Sequence, residues 1–260
     1  MTWELETAVV VAAEAAGGVL RDGFGRRHRI EYKGESDLVT EADKEAERKI
    51  EEILREGFPD HGMLTEESGE TESQDDARWI VDPLDGTTNY AHSVPFFCTS
   101  IALERAGEVI LGVVHDPMAN ETYAAGRGQG ATLNGEPLRV SNTDEPARAL
   151  LGTSFADRPE ELESGLDVLG RLADLARGVR RLGSGAVDMC YVAARRLDGC
   201  YEQGFSAWDV AAGALVVVEA GGRVTDHRGN RLDLLESKGL VASNGLVHAA
   251  VVEVARADDA

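Results

Sequence analysis

Lysine is nearly missing from this 260-residue chain: there are four, and all 26 basic residues together face 47 acids, for a formal net charge of −21. A surface of that sign repels nucleic acid and anionic membrane, which argues against functions that need a basic face. Two explanations of the acidity stand side by side. One is a densely solvated surface. The other, favoured by the scarcity of lysine, is halophilic adaptation, in which carboxylates keep a protein hydrated while salt screens their repulsion. Long apolar runs are also absent: nothing approaches the roughly 18 consecutive residues of a membrane-spanning helix. The first residues, MTWELETAVV, carry acids where a secretory leader carries bases. Cysteine is limited to Cys98, Cys190 and Cys200, an odd number without C-x-x-C spacing. That argues against a disulfide framework or a zinc site and fits a reducing, cytoplasmic setting.

Hydrophobic residues make up 43% of the chain, enough at this length for one large domain or two that share an interface. Residues 2–22 have helical periodicity, with Val9, Ala13, Ala16 and Leu20 on one face. The segment 32–40 is a polar connection. From Glu41 to Phe58 the pattern Ala42, Ala46, Ile50, Ile53, Leu54 and Phe58 predicts an amphipathic helix, with Thr40 and Asp43 spaced as a capping box. Two strands around Ala106-Gly107 and a meander turning at Asn134-Gly135 predict antiparallel sheet. The cluster SNTDEPARA (141–149) marks a boundary, giving halves 1–145 and 146–260. Beyond it, strands near 149–153, 198–203 and 223–225 alternate with helices near 158–177, 185–195 and 208–220. The expected architecture is mixed α+β, with a site where two layered halves meet.

The chemistry concentrates in RWIVDPLDGTTNY (78–90). An apolar strand, Trp79 to Val81, reaches Asp82, and a second acid follows at Asp85. Paired carboxylates at a strand end make a hard-cation site, with the Leu84 carbonyl as a neutral ligand and magnesium as the fitting ion. Gly86, Thr87 and Thr88 open a short helix whose free N–H groups suit a phosphate. A tight turn explains DPLDG equally well, since Asp, Pro and Gly are all turn residues. Spacing narrows the alternatives. An EF-hand loop needs acids at alternate positions. The haloacid-dehalogenase type of phosphatase needs D-x-D-x-T, whereas here two residues separate the acids. Two further acidic stations are Glu66-Glu67 in LTEESG and Asp209 in AWDVAAG. Taken singly they read as a solvated loop acid and a helix cap.

SDLVTEAD, LTEESG, WIVDPLDGTTNY, LGSGAVDMCYVA and WDVAAGALVVVEAGG, in this order along the chain, resemble the inositol monophosphatase family of magnesium-dependent, lithium-sensitive sugar phosphatases. The likeness covers nearly the whole chain and implies a layered α-β-α-β-α sandwich. It implies metal ligands at Glu66, Asp82, the Leu84 carbonyl, Asp85 and Asp209, holding two or three Mg2+, with Mn2+ as a substitute. It implies that Asp43 and Thr87 activate the attacking water, with Glu66 counted in the catalytic set. Substrate contacts are implied at Asp85, Gly86, Thr87, Gly183, Ser184, Gly185, Glu202 and Asp209. Gly185 stands where animal inositol phosphatases have alanine, implying a roomier wall.

The resemblance further implies a homodimer and direct hydrolysis of a small sugar or cyclitol phosphate: inositol 1-phosphate, fructose 1,6-bisphosphate or both, as in dual-activity archaeal members. The branches acting on 3′-phosphoadenosine 5′-phosphate or histidinol phosphate commonly carry a basic residue at the position of Thr88. Arg180 and Arg181 suit a second phosphate or a solvated surface alike. The rivals are covalent aspartyl-phosphate chemistry at Asp82 and an acidic metal-binding scaffold without turnover.

Overall fold

The structure is a computed structural model that describes residues 3–26, 30–32, 38–154 and 159–256. Part of the 32–40 connection, residues 33–37, lies outside the described residues, as does the Thr40 side chain of the expected capping box.

Helix α1 (Trp3–Gly23) is followed by a short antiparallel pair, β1 (Ile30–Tyr32) and β2 (Leu38–Thr40), and then by α2 (Glu41–Gly57). Next come β3 (Gly62–Thr65), β4 (Gly69–Thr71), β5 (Ala77–Asp85), the five-residue helix α3 (Thr87–Ala91), β6 (Cys98–Arg105), β7 (Glu108–Asp116), β8 (Glu121–Gly126), β9 (Gly130–Leu133) and β10 (Glu136–Pro137). The later part holds β11 (Leu150–Thr153), α4 (Pro159–Leu175), β12 (Gly178–Arg180), α5 (Gly185–Ala193), β13 (Gly199–Gln203), α6 (Ala207–Glu219), β14 (Arg223–Asp226), β15 (Gly239–Ser243) and α7 (His248–Ala255).

Strands β3 to β10 form one eight-stranded sheet in the order β10-β9-β8-β7-β6-β5-β3-β4. Every pairing in it is antiparallel except β3 with β5. A five-stranded sheet, β12-β11-β13-β15-β14, is parallel across β12, β11 and β13 and antiparallel beyond.

Strand alternation sorts the core into layers. Trp79, Val81, Ile101, Leu103, Leu111 and Val113 pack against Val9, Ala13, Ala16 and Leu20 of α1 and Ala46, Ile50 and Leu54 of α2. Their neighbours Ile80, Ala102 and Val114 face the other way, onto α5 and α6. Those helices also cover Cys200, Leu240 and Ala242 of the second sheet, whose far face, Leu151, Tyr201 and Val241, meets α4 and α7. The result is the expected α-β-α-β-α sandwich, with α5 and α6 as a middle layer shared by both sheets.

That middle layer sits close. A Cβ on Gly112 of β7 would lie 2.9 Å from the Ala212 backbone, and one on Gly213 would lie 2.8 Å from Met189 Cε. All three cysteines are buried and free.

The expected hairpins are present, with Ala106, Gly107, Asn134 and Gly135 all at positive φ. One expectation needs correcting. The apolar strand does not stop at Asp82; β5 runs on to Asp85. Asp82 opposes Ser100 and Asp85 opposes Cys98, so β5 takes three steps where β6 takes two. This is a β-bulge, the setting in which a strand tolerates a proline such as Pro83.

Candidate active site at the seam of the two sheets

The bulge decides where the acids point. Ser100 and Cys98 are two residues apart and share a face, and residues directly opposed across a ladder share a face too. Asp82 and Asp85, three apart in sequence, are therefore brought to one side. In an unbroken strand they would fall on opposite sides.

Each remaining station is tied to this point. The Glu66 N–H donates to the Val81 carbonyl at 3.2 Å, which sets Glu66 beside the Asp82 strand. The Ser100 hydroxyl, opposite Asp82, donates to the Trp208 carbonyl at 3.1 Å and anchors the first turn of α6. Asp209 sits in that turn and accepts the Ser206 N–H at 2.6 Å, closing a capping box in which Ser206 is the N-cap and Asp209, expected as the cap, is the third helical residue. The Thr87 hydroxyl lies 3.2 Å from Asp43 Oδ1 and 3.0 Å from the Leu84 carbonyl. Asp43 is fully buried at the start of α2. The Tyr90 hydroxyl donates to the Leu20 carbonyl at 2.9 Å and pins α3 to α1.

Two residues here were not picked out by the sequence reading. Glu47, one helical turn after Asp43 and therefore on the same face, is 2% exposed. It accepts hydrogen bonds from the Glu67 N–H and the Ser68 hydroxyl and so holds the turn that carries Glu66. The available signal was its i+4 spacing from Asp43. Asp188 of α5 is 1% exposed, and its Oδ1 has no hydrogen-bond partner among the described residues. No sequence signal separates it from an ordinary first-turn acid.

A cleft of about 210 Å³ opens beside these acids, lined by Asp85, Gly183, Ser184, Gly185, Glu202 and Asp209, together with Ser154, Arg181 and Phe205. It brings together Asp85, Gly183, Ser184, Gly185, Glu202 and Asp209 of the expected substrate contacts, whereas Gly86 and Thr87 are not in its lining. Arg181 lines the cleft but Arg180 does not; Arg180 is exposed and its guanidinium turns back to the Val179 carbonyl. At Gly185 a methyl group would stand 3.3 Å from Glu202 Oε2, so the room left by glycine goes to the Glu202 carboxylate. A larger cleft, about 510 Å³, shares Gln203 with this one but contains none of the motif residues.

The electrostatics follow from crowding. Burial pushes the Asp82 carboxyl well above its usual range, and the charges of Glu66, Asp85 and Asp209 push it further. Burial also raises Asp85, against hydrogen bonds from Ser184, Ala186 and Gly185 that favour its ionised form. Glu202 is pushed up to about 8, chiefly by burial. Among the described residues no three of these acids close into a ready coordination shell. Four carboxylates converging from the turn after β3, from β5 and from α6 cannot all ionise without a counter-cation, and their donor set is all hard oxygen. On both counts they fit a divalent cation such as magnesium.

A stability prediction follows for the metal-free protein. A carboxyl raised in the fold keeps its proton where the unfolded chain has lost it. Stability is therefore complete below the unfolded value, near 4.5 for Glu202, and is lost as pH rises towards about 8. Burial lowers the pKa of His115 and His248, whose opposing effect ends near their ordinary value of 6.5. The melting temperature in chelator should therefore fall between about pH 6.5 and about pH 8, and magnesium should restore most of the loss. A flat or rising profile would show that the acids ionise without a cation.

Acids converging at the seam of a five-layer sandwich, with a hydroxyl–carboxylate pair beside them, fit a metal-dependent phosphatase. Residues 3–259 match the Inositol monophosphatase family. The "Inositol-1-monophosphatase" of Synechocystis is 43% identical over 251 residues, 94% of this chain and 87% of that protein. The "Nus factor SuhB" of Pasteurella multocida is 44% identical over 236 residues, 89% of this chain and 88% of that protein. The solved inositol monophosphatase of Anabaena superposes with a TM-score of 0.87 at 39% identity, covering 98% of this chain and 96% of that one. The chain belongs to the inositol monophosphatase family.

Proposed function

We propose that this phosphatase hydrolyses a small sugar or cyclitol phosphate, inositol 1-phosphate or fructose 1,6-bisphosphate, with Mg2+ as its metal and Mn2+ as a substitute. The observation that carries the reading is the Thr87 hydroxyl set between Asp43 and the Leu84 carbonyl, beside the converging acids. A protein that only stores cations has no use for that pair. Glu66, Asp82, the Leu84 carbonyl, Asp85 and Asp209 would hold two or three ions. Ions held there would supply positive charge for the phosphate and for the attacking and leaving oxygens. Thr87 orients the attacking water, and Asp43 receives the water's proton through the Thr87 hydroxyl. The N–H groups of Gly86 and Thr87 receive phosphate oxygens at the opening of α3.

Glu202 lines the cleft, and its Oε1, without a hydrogen-bond partner among the described residues, accepts from a substrate hydroxyl. The charge of −21 fits a small-molecule substrate better than nucleic acid. We further propose a homodimer in the cytoplasm; no helix among the described residues is long and apolar enough to cross a membrane.

The test is a magnesium-dependent phosphate-release panel, run in high and low salt, with inositol 1-phosphate, fructose 1,6-bisphosphate, 3′-phosphoadenosine 5′-phosphate and histidinol phosphate. Turnover is expected on the first two and inhibition by millimolar lithium. Turnover confined to the last two would move the protein to another branch. Metal binding with no turnover would make it a scaffold, and a trapped phospho-Asp82 would replace direct water attack.

A further inference from the structure

Asp85 belongs to β5, yet the shortest hydrogen bonds to its carboxylate come from the other half of the chain; within its own half the Cys98 thiol makes a long contact of 3.9 Å to Oδ2. The Ser184 hydroxyl donates to Asp85 Oδ2 at 2.6 Å, and the Ala186 N–H donates to the same oxygen at 2.8 Å. With both lone pairs of Oδ2 engaged, the carboxylate is fixed in rotation and Oδ1 is left clear of these donors. Ser184 is 2% exposed and is the N-cap of α5, its Oγ accepting the Val187 N–H at 3.4 Å. This hydroxyl therefore already donates and accepts within the protein.

The turn that carries Ser184 is itself held from α3. The Asn89 amide donates to the Leu182 carbonyl at 2.8 Å and to the Phe96 carbonyl at 2.8 Å. There is no slack between the two segments. Gly183 has φ +89, and a Cβ there would lie 2.9 Å from Asn89 Nδ2; a Cβ on Gly86 would lie 3.2 Å from the Gly183 carbonyl.

We infer that Ser184 and Asn89 are positioning residues that aim Asp85 at its metal, Asn89 by fixing the 182–184 turn and Ser184 by gripping the carboxylate. Ser184 thereby acts through Asp85 and not as a substrate contact. The inference rests on the metal-dependent reading of the site. Outer partners of this kind raise metal affinity because the ligand is held in one orientation before the ion arrives.

The experiment is Mn2+ titration of the purified full chain without substrate, followed by electron paramagnetic resonance, with metal-free melting curves to show that each variant folds. Ser184→Ala should weaken Mn2+ binding by about 10-fold, and Asn89→Ala should weaken it in the same direction. Ser184→Thr, which keeps the hydroxyl, should bind within about threefold of the wild type. In turnover, the metal activation constant of Ser184→Ala should rise while KM for the phosphate ester stays put. Wild-type affinity in Ser184→Ala overturns the inference, as it does in Asn89→Ala if the serine variant does not fold. A loss in Ser184→Thr as large as in Ser184→Ala also overturns it, because packing and not the hydroxyl would then be responsible. A wild-type chain that binds no Mn2+ would sink the metal-dependent reading first, so the two failures are distinguishable.

Discussion

Asp85→Asn is expected to lower kcat by roughly 10³-fold or more while the protein stays folded. The metal's contribution to stabilising transition-state charge is several kcal/mol, and each 1.4 kcal/mol or so is a factor of ten in rate. Asparagine has the same shape as the residue it replaces, and its carbonyl oxygen can still accept from Ser184 and Ala186. Removing the charge also relieves the crowding that raises Asp82. The metal-free variant should therefore melt no lower than the wild type. Steady-state turnover beside a metal-free melting curve checks both halves of the expectation. Retained turnover would remove Asp85 from the metal site.

The second large effect is expected at Thr87. Thr87→Ala should lower kcat by about 10²–10⁴-fold, the range for a group that orients and deprotonates the nucleophile, with KM little changed. Thr87→Ser keeps the hydroxyl between Asp43 and the Leu84 carbonyl and should recover most of the rate. Asp43→Asn removes the other member of the pair, so the double variant should be little worse than either single one. An effect of Thr87→Ala on KM alone would make Thr87 a binding residue and not an activating one.

Much of this arrangement was legible in the residues because it is local. Periodicity located α1 and α2, positive-φ residue types marked the hairpins, and the five motifs named the acids. What stayed hidden depends on distance along the chain or on a broken rule. Glu47 reads as one more charge on an amphipathic helix until the turn it holds, twenty residues on, is folded against it. The grip of Asn89 on Leu182 spans 93 residues and leaves no mark in either segment. Strands β12 and β4 are three residues long, too short for alternation to show. Helix α7 covers eight residues, mostly apolar, and its periodicity is correspondingly weak. The end of β5 was misplaced because a bulge breaks the alternation by which strands are recognised.

That bulge also explains why the acids are D-x-x-D and not D-x-D. A regular strand would bring two acids to one face at a spacing of two, with the intervening peptide committed to its neighbour strand. The additional residue leaves Pro83 and Leu84 without register partners, and their carbonyls accept from the hydroxyl groups of Thr99 and Thr87. A hydroxyl can swivel away, whereas a ladder partner cannot. The ligand proposed at the Leu84 carbonyl would thus be encoded by chain length and not by side-chain identity. Every amino acid carries a carbonyl, so a point-substitution scan through Leu84 would report a buried apolar residue and miss its coordinating role. Shortening or lengthening the strand by a single codon would reveal it.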